Sequence, residues 1–69
     1  MATLKIDSDE IRVSDSLVIR MAERMWKLGT EERRAAYAER ARKRVTAGRR
    51  GKNDVAVIIV ADHVGSQGT

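Results

Sequence analysis

Asp54-Val55-Ala56-Val57-Ile58-Ile59-Val60-Ala61-Asp62-His63-Val64 is the stretch on which the reading turns. Seven apolar residues in a row, Val55 to Ala61, sit between Asn53-Asp54 and Asp62, and five of the seven are β-branched. Successive side chains of a strand point to opposite faces, so a strand with one wet face alternates apolar with polar residues. This run does not alternate. It predicts a strand covered on both faces, and it is too short to span a bilayer. The rest of the chain has to supply both covers.

Upstream, Leu4-Lys5-Ile6 and Ile11-Arg12-Val13 flank the turn-forming cluster Asp7-Ser8-Asp9-Glu10. Pairing Ile6 with Ile11 sets Leu4 against Val13 and puts all four side chains on one face, a β-hairpin. Ser14 or Asp15 then caps a helix that Gly29 stops. Its apolar residues Leu17, Val18, Ile19, Met21, Ala22, Met25, Trp26 and Leu28 sweep about 200° of its surface, wider than a single sheet contact needs. That width predicts two neighbours, with Met21, Met25 and Trp26 in packing rather than in a ligand pocket. Thr30 caps a second helix that runs to Gly48. Glu31 and Glu32 lie at its positive end, Lys43 and Arg44 at its negative end. Its apolar stripe, Ala38, Ala41 and Val45, is narrow and small.

The predicted order is β-β-α-α-β: an α+β domain over residues 1–64 with a flexible tail at 65–69, an antiparallel helix pair covering one face of a small sheet. The second face of the last strand is then bare. A homodimer that covers it through Val55, Val57, Ile58, Ile59, Val60 and Trp26 completes the expected architecture. A chain of 69 residues buries only about 60% of its unfolded surface, and without cysteine it lacks the disulfide staple of small domains. Association is the stabiliser left to it.

Charge is concentrated in one segment. The net charge is +4, and residues 31–52 hold nine basic side chains against three acidic ones, whereas residues 1–30 balance at five and five. Arg33, Arg40 and Arg44 fall within about 40° of one another on the second helix. Arg49, Arg50 and Lys52 continue the positive charge along the Gly48–Asn53 loop. Arginine's planar fork suits phosphate oxygens, so this segment is the expected nucleic-acid contact. The scarcity of aromatic residues (Trp26 and Tyr37 alone) favours salt-sensitive backbone contact over base stacking.

Glu10-Ile11-Arg12-Val13-Ser14-Asp15-Ser16-Leu17, followed by Met21, Met25 and Leu28-Gly29-Thr30, resembles the opening of a ribbon–helix–helix repressor over roughly residues 10–45. The resemblance implies a dimeric ribbon whose outward residues, here Arg12, enter the major groove. Glu31 and Glu32 depart from it, standing where phosphate would approach the second helix. The second helix also lacks the larger aliphatic residues of that family's dimer core, and the α+β reading is kept.

Catalysis finds no support. His63 and Asp62 are neighbours that a strand would aim in opposite directions, Ser14, Ser16 and Ser66 have no base, and Gly48-Arg-Arg-Gly-Lys lacks P-loop spacing. The expectation is therefore a non-enzyme with no metal and no cofactor. It is a basic homodimeric regulatory protein that binds DNA or RNA. The alternative is a protein–protein interaction module (an assembly subunit, a phage or bacterial inhibitor, an antitoxin-like protein) acting through a strand edge or the apolar helix face. With no signal peptide visible and no membrane contact expected, a cytoplasmic setting follows.

Overall fold

The computed structural model describes residues 1–67. In chain order it holds β1 (Ala2–Ile6), β2 (Asp9–Val13), α1 (Asp15–Trp26), α2 (Glu31–Thr46) and α3 (Lys52–Gln67). The α+β class stands, with a two-stranded antiparallel sheet and three helices.

The hairpin forms where expected, in a register displaced by two residues. Leu4 faces Ile11, Ala2 faces Val13 and Ile6 faces Asp9. The turn is the pair Asp7-Ser8, with Asp7 at φ 57°, a left-handed conformation that aspartate tolerates better than most residues. Because side chains alternate with a period of two, a two-residue slip keeps every residue on its face. Ala2, Leu4, Ile6, Ile11 and Val13 pack against the core, while Thr3, Lys5, Glu10 and Arg12 meet solvent. The outer face is polar and requires no cover.

Both helix starts follow the caps. Ser14 Oγ accepts from the Leu17 amide at 3.3 Å, and Thr30 Oγ1 accepts from the Arg33 amide at 3.2 Å. Gly29 and Gly48 take φ of 86° and 98° at the helix ends. At the second, the Gly48 amide donates to Val45 and the Arg49 amide to Arg44, the paired closure of a Schellman motif. Ser14→Ala is expected to lower stability by about 1 kcal/mol, read as a shift in the denaturation midpoint with an unchanged slope.

The decisive stretch is not a strand. Val55 to Ala61 lies inside α3, whose first turn closes through the Val55 amide on Gly51 O at 3.1 Å. Val55, Ala56, Val57, Ile58 and Val60 are all buried within the single chain, Val55 and Val57 at 0% and 1% exposure. The expected β-β-α-α-β order is therefore corrected to β-β-α-α-α, and the helix continues past the expected boundary at residue 64. The expected tail lies inside α3 as far as Gln67, and the rest of it falls outside the described residues.

The physical reason lies in how many sides need covering. α3 packs against α1, α2, β1 and β2, so it is a helix enclosed by its neighbours. Such a helix is apolar around most of its circumference and shows no 3.6-residue period. Its β-branched residues lower helix propensity by a few tenths of a kcal/mol each. Burial returns about 1.5–3 kcal/mol per large aliphatic side chain, which decides the contest. A helix also satisfies its own backbone groups, where a central strand would need two partner strands that this short chain does not provide.

Candidate functional site

With Val55, Val57 and Ile58 enclosed in their own chain's core, these residues have almost no surface left for a dimer contact, and Val60 keeps only 8% exposure. Ile59 is half-buried against the same cluster. The unsheltered strand face that called for a dimer does not exist. Trp26, read from the sequence as packed, is 76% exposed. α1 leans mainly on α3 and touches α2 little, so the broad apolar face gains one large neighbour instead of two, and Ile19 stays 59% exposed as well.

Ion pairs divide the basic segment into two populations. Arg44 grips Asp54 with both arms of its fork, Nε to Oδ2 at 3.0 Å and Nη2 to Oδ1 at 2.8 Å. This bidentate pair ties the last turn of α2 to the first turn of α3. The hydrogen bond that Arg44 donates to Asp54 holds the guanidinium above its ordinary pKa, against a smaller opposing effect of desolvation and with further electrostatic help from Asp54 and Tyr37. A raised folded pKa contributes stability below it and loses that contribution only as pH climbs through it. For arginine that crossing lies beyond working pH, so the Arg44 end of the clamp stays charged throughout. Arg42 reaches Asp62, so α2 engages the acids at both ends of the apolar run. Arg50 pairs with Asp9 at the start of β2, fastening the loop to the hairpin. Two of the six cations expected to meet phosphate, Arg44 and Arg50, are therefore held in ion pairs.

The second population comprises Arg34, half-buried over the Trp26 ring, and the four expected phosphate contacts Arg33, Arg40, Arg49 and Lys52. All four are exposed, and among the described residues none has a carboxylate within 4.0 Å. Arg33 and Arg40 lie seven residues apart on one face of α2, about 20° from alignment. Arg49 follows the helix end and Lys52 opens α3, so the four run from the start of α2 round its C-terminal corner. Arg12 projects from the outer hairpin face beside Glu10 at 4.0 Å. Its strand pairs with β1 of the same chain along one edge.

The sequence reading also missed a groove. It lies between α1 and α2, has a volume of about 760 Å³ and is lined by Ala22, Met25, Ala35, Ala38, Val60 and Ala61. Trp26 stands at its rim with the Arg34 guanidinium 5.3 Å from the ring centre, within cation–π range. The breadth of the apolar face on α1 was its only signal.

Among the described residues no cluster of His, Asp and Glu side chains is arranged to hold a metal ion, and no helix is long and apolar enough to cross a membrane. No protein-family model, no curated protein and no solved structure matches this chain.

Proposed function

We propose that the protein is a small, non-catalytic nucleic-acid-binding protein that grips the phosphate backbone through α2 and the corner that follows it. The observation that carries this reading is the set Arg33, Arg40, Arg49 and Lys52, four exposed cations without a carboxylate in reach, disposed along one helix face and its end. Cations so placed gain most when they replace condensed counterions on a polyanion. Arg44 sits in the same row but is engaged by Asp54, and Arg50 by Asp9. They position the surface, and the four unpaired cations bind. Arg12, on a hairpin face that also carries Glu10, contributes little to backbone contact.

The test is an electrophoretic shift series on duplex DNA, single-stranded DNA and RNA at low and moderate salt. A shift that weakens steeply with salt supports the reading. The absence of any shift on all three at low salt overturns it. Asp54→Asn sharpens the test, because it releases Arg44 into the row and removes one negative charge. It is expected to tighten binding several-fold at low salt, with the gain fading as salt rises, while loosening the α2–α3 corner enough to lower the melting temperature.

A protein-contact role is the second reading, favoured by the open apolar groove beside an exposed tryptophan.

A further inference from the structure

Apolar surface is left uncovered on one side of this fold. α1 and α2 both rest on α3 yet meet each other little, so the groove between them stays open, with Val60 and Ala61 at its floor. The indole at its edge is the largest side chain in the protein and is mostly in water. We propose that the groove seats a second copy of the chain, the Trp26 of each copy entering the groove of the other about a two-fold axis. The inference stands apart from the nucleic-acid reading and does not require it.

Two observations favour a second copy. Projection and recess lie side by side on the same surface, and a two-fold axis sets each against its complement without needing any other shape. The rim also carries both signs of charge, Glu31 and Glu39 with Arg34 and Arg42. A two-fold rotation places residue i against j and j against i, so a mixed rim can match itself. A partner of a single sign would be repelled by half of the rim. An aromatic anchor with an adjacent arginine, ringed by polar groups, is also the composition of an interface hot spot.

The geometry keeps the phosphate row clear. At about 100° per residue, the groove-lining positions of α2 (31, 34, 35, 38, 39 and 42) centre roughly opposite Arg33, Arg40 and Arg44, with Arg34 at the near edge. Association through the groove therefore leaves both rows of cations facing outward.

Trp26 is the only tryptophan in the chain, so its fluorescence reports on this contact alone. Light scattering across a dilution series is expected to give twice the 7.7 kDa chain mass at high concentration. Over the same range the Trp26 emission should move to shorter wavelength as the indole leaves water. Trp26→Ala removes a side chain that is 76% exposed and meets the Arg34 guanidinium only at the surface, and it should weaken association about 30-fold or more, with the helical circular dichroism unchanged. Glu39→Arg, which leaves the core untouched and unbalances the rim, should also weaken it. A wild-type chain that stays monomeric at high concentration overturns the proposal, whatever else occupies the groove. So does a dimer that forms without any change in Trp26 emission, or one that Trp26→Ala leaves intact, since either places the contact elsewhere.

Discussion

A chain carrying Val57→Asp is expected not to fold. Val57 is 1% exposed, and the carboxylate it would introduce has no cation within the packed cluster of Val13, Met21, Met25, Ala38, Ala41, Val45 and the α3 aliphatics. Burying a carboxylate without a partner costs several kcal/mol even after relaxation. The lost valine contacts add about 2 kcal/mol. A domain of this length has a total stability of roughly 3–10 kcal/mol, so the substitution consumes most or all of it. Circular dichroism should show loss of helical signal and no cooperative melt at 25 °C. The paired substitution Ile59→Asp gives the comparison its force. On a strand, residues 57 and 59 share a face and would respond alike. On a helix they lie about 200° apart. Ile59 is only half-buried, so Ile59→Asp should be the milder of the two. Equal effects at both positions would contradict the helix.

Replacing Arg33, Arg40, Arg49 and Lys52 together by glutamine should flatten the salt dependence of nucleic-acid binding. Each cation that neutralises a phosphate on duplex DNA contributes about 0.9 to the slope of log affinity against log salt. Four of them account for a slope of about 3.6, or roughly a 150-fold loss of affinity between 50 and 200 mM salt. The quadruple variant should lose that dependence, and most of its low-salt affinity with it. Glutamine keeps the helix propensity of α2 and the replaced cations are exposed and unpaired, so the melting transition should shift little. A slope unchanged in the variant would show that these four residues do not meet phosphate. The same exchange at Arg44 and Arg50 is a poorer test, because it would also cut the ties to Asp54 and Asp9.

Local signals in the sequence proved dependable. Ser14, Thr30, Gly29 and Gly48 act on their own backbone neighbours, so α1 and α2 were legible within a residue or two at their starts and stops. The hairpin faces were legible too, because alternation survives a slip of two residues. Its register was not, since that depends on whether the turn closes at Asp7-Ser8 or over all four polar residues. The Val55–Ala61 run was misread because periodicity records contrast between a wet side and a dry side, and a fully enclosed segment has no contrast to record. Length offered the arbitration. Continuing the run outward through Lys52-Asn53-Asp54 and Asp62-His63 gives a span of helical rather than strand length, with an acid in its first turn.

The candidate site was half legible. Which residues are basic is plain from the sequence, but which of them are already engaged is a matter of tertiary distance. Arg44 reaches Asp54 across the α2–α3 corner, Arg42 reaches Asp62 twenty positions later, and Arg50 meets Asp9 forty-one positions earlier. No local pattern encodes such pairs. Trp26 was assigned inward because its spacing fits the apolar face of α1. The structure leaves it 76% exposed, with only the Arg34 guanidinium of α2 over its ring.

The enclosed position of α3 also sets an order of events during translation. Every earlier element leans on a helix that the ribosome makes after all of them, at about 5–20 residues per second. The hairpin, α1 and α2 therefore leave the exit tunnel with their greasy faces unsheltered, and nascent α2 is a short helix of marginal stability on its own. Commitment to the native state waits until Val60 is in the open. A stop codon or a pause before that point would leave a sticky, protease-sensitive fragment rather than a smaller working domain.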